Sequence, residues 1–168
     1  GPTLNDLQNT FDRHQGNLRK RVVSAERYSG IEEMDIFLYY RGYGEWVNGK
    51  PLLIPKNAKL MREVTKYPLE ELVQNLSTLS VLENIRTITV FLDVTYLNLE
   101  HSAEIEWEFP DLTEKICILS ATSNGETSQV YSKKKHSLFT YALLEGFSGY
   151  ADDGDQVIEL GELAEYVY

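Results

Sequence analysis

The sequence predicts a three-layer α/β domain, with a mostly parallel sheet and helices on both of its faces. Three apolar runs carry that prediction: Met34-Asp35-Ile36-Phe37-Leu38-Tyr39-Tyr40, Thr87-Ile88-Thr89-Val90-Phe91-Leu92-Asp93 and Lys115-Ile116-Cys117-Ile118-Leu119-Ser120-Ala121. Each is short, nearly continuous and rich in β-branched or aromatic residues, the pattern of strands buried on both faces. Segments of helical periodicity separate and follow these runs, and strands that alternate with helices favour parallel pairing.

The helices are justified in chain order. Leu4, Leu7, Phe11 and Leu18 recur at near-helical spacing behind Thr3 and Asp6, a Ser/Thr-x-x-acid cap. A helix is predicted over 4–15, with Gly16 and Asn17 as its stop signal. Residues 17–33 are charged and poorly periodic, and no element is assigned to them. Pro68 opens a helix whose Leu69, Leu72, Val73 and Leu76 share one face. A helix over 137–146 turns Leu138, Phe139, Ala142 and Leu143 inward, and a last one over 161–168 uses Leu163, Ala164 and Val167.

Composition narrows the function classes. The 168 residues suffice for one domain without disulfide or metal staples. Gly1-Pro2 reads as a tag-removal scar, so the expected domain is 3–168, part of a longer protein. A net charge of −10 argues against nucleic acid as a partner, since phosphate binding needs a positive surface. No apolar run reaches membrane-spanning length. The basic triplets Arg19-Lys20-Arg21 and Lys133-Lys134-Lys135 read as solvated loops. Cys117 is the only cysteine, which excludes an internal disulfide and fits a reducing, cytoplasmic setting. Inside its apolar run it reads as a small buried hydrophobe. His14, His101 and His136 are too scattered to suggest a metal site, and no cofactor is expected. Asp152-Asp153-Gly154-Asp155 with Glu159 and Glu162 invites calcium, but an EF-hand loop places its glycine sixth, and here it is third. A turn into the last helix is the preferred reading.

Working side chains in open α/β sheets gather at the carboxyl ends of parallel strands. The first run ends Tyr39-Tyr40-Arg41-Gly42-Tyr43-Gly44 and the second Phe91-Leu92-Asp93-Val94-Thr95-Tyr96. These segments resemble the two motifs of caspase-like peptidases of the prokaryotic and metacaspase type, Tyr-Tyr-x-Gly-His-Gly and Leu-Asp-Ala-Cys-(Tyr/Phe/His)-Ser-Gly. Tyr39, Tyr40, Gly42 and Gly44 match the first, with Tyr43 at the histidine position. Leu92, Asp93 and Tyr96 match the second, with Thr95 at the cysteine position and Leu97-Asn98 replacing Ser-Gly. The segment from Asn48 to Ala58 is similar to the family's Gly-x-x-Leu-x-Pro-x-Asp-Ala stretch. Ile118 to Thr122 with Glu126, and Phe139 to Gly146 followed by Asp152, Asp155, Glu162 and Val167, continue the resemblance through residues 34–168.

The resemblance implies a caspase–hemoglobinase fold that lacks the family's first strands. The edge of the 34–40 strand is then expected to be covered, either by residues 19–28 folded back as a strand around Val22-Val23 or by a second molecule. It also implies acyl transfer by a cysteine–histidine pair, which this chain does not have. A threonine hydroxyl needs an activating base, Tyr43 with an ordinary pKa near 10 is a poor one, and Arg41 is permanently cationic. The expectation is therefore a pseudoprotease with no catalytic residue: a binding, regulatory or assembly module, prokaryotic and cytoplasmic. Its partner is a protein or peptide, an active homologue or a second copy. The retained Asp93, with Arg41 and Tyr96, marks a substrate-like pocket, and the resemblance implies a residual subsite for a Lys or Arg side chain. The alternative is that Asp93 caps a strand end or a helix amino terminus. Tyr39, Tyr40, Tyr43, Tyr67, Tyr96, Tyr131 and Tyr141 are available to line a groove, but read mostly as core or half-buried packing. The rival functions are a weak or atypical peptidase or hydrolase, and a purely structural module.

Overall fold

Fourteen residues from Met34 to Val47 form one long strand, β1, and the sheet is organised around it. The computed structural model describes residues 1–59, 61–97, 112–122, 130–131 and 136–168. Its main sheet has the order β3-β2-β1-β4-β5, with β2 at Lys50–Ile54, β3 at Tyr67–Pro68, β4 at Ile85–Tyr96 and β5 at Ile116–Ser120. The three predicted strands are the parallel core, β1-β4-β5. The sheet as a whole is mixed, because β2 and β3 add antiparallel to the far end of β1. That hairpin turns at Asn48 and Gly49, both with positive φ (52° and 75°). A two-residue Asn-Gly loop with two left-handed positions suits the twist of a hairpin, and glycine takes the second position without strain.

Burial corrects the expectation of strands covered on both faces. It holds for β4, where Ile88, Val90, Leu92 and Val94 are buried on one face and Phe91 on the other. It fails for β1, where Phe37, Tyr39 and Tyr43 lie on one exposed row and alternate with half-buried Ile36, Leu38 and Tyr40. The reason is position. Residues 34–42 pair with β4 on one side and with no described strand on the other.

The helices form the outer layers. α1 (Leu4–Phe11) begins in a Thr3–Asp6 capping box as predicted, but stops four residues short of residue 15. There the Asp12 carboxylate accepts the backbone N–H groups of His14 and Gln15, a local turn that competes with the helix. Residues 17–33 show too little periodicity for an element to be assigned from sequence, yet α2 spans Asn17–Ser29, with Gly16 as its N-cap and a left-handed Gly30 as its C-cap. Its apolar signal is weak because Val22 is its one buried residue. Arg19-Lys20-Arg21 thus lies on a helix rather than a loop, and residues 19–28 cannot be the strand that covers β1.

α3 (Leu69–Ser80) buries Leu69, Leu72, Val73, Leu76 and Leu79, with Pro68 as N-cap rather than first helical residue. Together with α1 and α2 it covers one face of the sheet through a single large apolar cluster. α4 (Leu138–Glu145) and α5 (Leu160–Val167) cover the other through Phe91, Leu119, Phe139, Leu143 and Leu163. Each fully buried Leu or Phe contributes about 1.5–3 kcal/mol of transfer free energy. Two short strands, β6 (Val130–Tyr131) and β7 (His136–Ser137), pair beside the start of α4. No helix among the described residues is long and apolar enough to cross a membrane.

Candidate functional site

β1 and β4 run side by side in parallel register, with Arg41 opposite Asp93, Gly42 opposite Val94, Tyr43 opposite Thr95 and Gly44 opposite Tyr96. Register partners on parallel strands point to the same face. Tyr43 and Thr95 therefore stand next to each other at the carboxyl ends of neighbouring strands, on the face that carries α4. Tyr43 is exposed and Thr95 half-buried. Tyr96 alternates to the opposite face, where it packs into the large cluster and tilts against Trp46 at 5.5 Å between ring centroids. A Cβ at Gly44 would meet that ring at 2.7 Å, which explains a glycine there. Burial pushes the Tyr96 phenol up to about 12. The structure thus gathers Arg41 and Asp93 but sends Tyr96 into the core.

Asp93 is 2 % exposed, and its surroundings explain how a carboxylate tolerates that. Its Oδ2 accepts hydrogen bonds from Thr140 Oγ1 at 2.7 Å, from Tyr39 OH at 3.2 Å and from the Ser137 hydroxyl. Arg41 Nε lies 3.4 Å from the same oxygen. Ser137 in turn N-caps α4 by accepting the Thr140 N–H at 3.0 Å. One carboxylate therefore ties β1, β4 and the amino terminus of α4 together, where the helix dipole also favours negative charge. Desolvation and the neighbouring carboxylate both raise the Tyr39 phenol, which keeps it a protonated donor. The two expectations for Asp93 meet here: it anchors a helix start, and the cation it holds is the chain's own Arg41.

Beside this anchor lies a groove of about 530 Å³ lined by Phe37, Phe91, Leu143, Leu144 and Phe147, with Arg41 and His136 on its polar side. Phe37 stacks on Phe91 with centroids 6.4 Å apart, and Phe147 meets Phe91 edge-on at 5.9 Å. Of the seven tyrosines, Tyr39 lines this groove, while Tyr67 and Tyr96 are core. Sequence reasoning missed Ser137, Thr140 and His136 as site residues, and offered Tyr39 only as one of seven tyrosines available to line a groove. Ser137 and Thr140 show the cap pattern ahead of an apolar helix, but nothing local says that a carboxylate 44 positions earlier is their partner.

No family model matches the sequence, and no curated protein matches it. The chemistry must be argued from the geometry. Among the described residues, no imidazole or thiol is hydrogen-bonded to Tyr43 or Thr95. Cys117 lies in β5, half-buried against the second apolar cluster rather than buried as expected, and what burial it has raises its thiol away from the reactive thiolate. Asp152, Asp153 and Asp155 bring carboxylate oxygens within 4.8 Å of one another. Their oxygens serve the loop: Asp152 Oδ1 accepts from Gly154 N and Gln156 N, and Asp155 Oδ1 from Val157 N. Glu162 closes a capping box with Glu159 at the start of α5. That is the expected turn into the last helix. Asn98, His101, Glu126 and the 133–135 lysines lie outside the described residues, as does the side chain of Tyr131.

Proposed function

We propose that this chain is a catalytically degenerate caspase-like domain, a pseudoprotease that acts as a protein- or peptide-binding module in regulation or assembly. The register pairing of Tyr43 with Thr95 carries the reading. These two positions stand where a nucleophile and its base belong in an α/β sheet of this kind, and neither side chain supplies the chemistry. An open apolar groove on the same sheet face, lined by Tyr39 and Arg41 but by neither Tyr43 nor Thr95, supports a binding role. Because Arg41 already sits at the buried Asp93 carboxylate, a Lys or Arg side chain of a ligand would have to displace it, so the site does not favour basic peptides.

The test is turnover. Assayed against Arg-, Lys- and Asp-directed fluorogenic peptides, with and without calcium, the protein gives no rate above buffer. A rate that disappears in Thr95→Ala would show a working nucleophile and end this reading.

A further inference from the structure

The charge of the chain is unevenly divided. Residues 136–168 hold seven carboxylates and no Lys or Arg. Asp153, Asp155, Glu159 and Glu165 among them are exposed, on α5 and on the loop that leads into it. Asp152, Asp153 and Asp155 crowd their oxygens within 4.8 Å of one another, a repulsion that a nearby cation relieves. Glu162 accepts the Asp153 N–H at 3.0 Å and so fixes this loop against α5, with Glu165 one turn further along. No ion pair among the described residues involves any of these carboxylates. Tyr150 and Val157 stand between them in the chain, 71 % and 58 % exposed.

The opposite charge sits on the loop that joins β2 to β3. Lys56, Lys59 and Arg62 are exposed there, and none of the three is in an ion pair among the described residues. Thr65 holds the loop in shape: its hydroxyl accepts the Lys59 N–H at 2.9 Å and donates to the Arg62 carbonyl at 2.7 Å. Beside these cations Met61 and Val64 are 98 % and 84 % exposed. On both surfaces apolar side chains are flanked by charge of one sign, the core and rim of a protein contact. The two lie at opposite ends of the sheet. The basic loop is at the β2–β3 end, and α5 is beside β5, where Tyr168 OH donates to the Ser120 carbonyl at 2.7 Å. No ion pair joins them within one molecule.

We propose that the basic loop of one copy, through Lys59, Met61 and Arg62, docks on the acidic face that Asp153, Val157 and Glu165 mark on a second copy of this chain. Complementary charge sets the register of such a contact, and Met61 and Val64 set against Tyr150 and Val157 add apolar burial. The net charge of −10 opposes association only at long range, because at about 0.15 M salt charges more than about 8 Å apart are screened. The contact uses neither Tyr43 nor Thr95, so it stands whether or not the chain cuts peptides.

The test is a charge swap read by sedimentation velocity at about 0.15 M salt. The unaltered 168-residue chain is expected to show an average mass above the 19.3 kDa of one copy, rising with concentration. One variant reverses the loop (Lys59→Glu with Arg62→Glu), and the other reverses the face (Asp153→Lys with Glu165→Lys). No ion pair among the described residues involves these four side chains, so the fold does not lean on them. Each variant alone is expected to associate at least about tenfold more weakly, since like charges then meet. An equal mixture of the two is expected to recover association, because every contact between unlike variants is complementary again. At about 1 M salt, where screening reaches about 3 Å, the unaltered chain is expected to fall apart into single copies. A chain that is monomeric at every concentration overturns the proposal. So does association that survives about 1 M salt, association of either variant at unchanged strength, or a mixture that stays monomeric.

Discussion

Arg41 and Asp93 are register partners on two parallel strands, and the guanidinium Nε stands 3.4 Å from a carboxylate oxygen that is almost wholly buried. The pair joins the open groove to the start of α4, because Ser137 and Thr140 donate to the same oxygen. Removing a hydroxyl there leaves a buried charge one donor short. Thr140→Val and Ser137→Ala are each expected to destabilise the fold by about 1–3 kcal/mol. Chemical denaturation of both variants reads this directly, and values near zero would show that Asp93 does not depend on them.

A second anchor lies at the far end of β1. Lys66, its side chain 2 % exposed, is paired with Glu45. Glu45→Ala strands a buried ammonium and is expected to cost about 3–5 kcal/mol. Glu70→Ala, which breaks the exposed pair with Lys50, is expected to cost at most about 1 kcal/mol. Denaturation midpoints of the two variants compare them.

Acid should act through Asp35. Hydrogen bonds from Arg86 and from Thr87 hold its carboxyl at about 2, against 3.8 in an unfolded chain. A depressed folded value means that its stabilisation is complete above the unfolded value and is lost as pH falls through the folded one. Stability is therefore expected to fall from pH 3.8 towards 2, and Asp35→Asn should flatten that part of the profile. A thermal-melt series over this range is the check.

Alkali should act through buried phenols, with the opposite sign. The Tyr96 phenol is raised from 10.0 to about 12 by burial, and that of Tyr67 is raised further. A raised value stabilises fully below the unfolded pKa and is lost as pH climbs through the folded one. Unfolding followed by phenolate absorbance is expected between pH 10.0 and about 12, and Tyr96→Phe should move it upward.

The parallel core was legible because its residues speak for themselves: the apolar runs around Ile88, Val90 and Ile116 have no other stable place. That Tyr43 stands beside Thr95 was implied by the resemblance of the two strand ends to a histidine and a cysteine motif, since apolar runs alone fix no register. α2 was not legible, since a helix with one buried residue, Val22, has almost no periodic signal. The β1–β2 hairpin carries a readable sign in Asn48-Gly49, a dipeptide that favours a two-residue turn. The pairing of Asp93 with Arg41 and with the α4 cap depends on contacts over 44 and more positions, which no local pattern encodes.

Whether Thr95 acts as a nucleophile, which the proposed pseudoprotease role denies, is decided by covalent trapping. The protein is incubated with peptidyl acyloxymethyl ketone and fluorophosphonate probes carrying Arg, Lys or Asp at the reactive position, and its intact mass is then measured. An unchanged mass is expected with every probe. A mass gain that maps to Thr95 and is abolished by Thr95→Ala would contradict it.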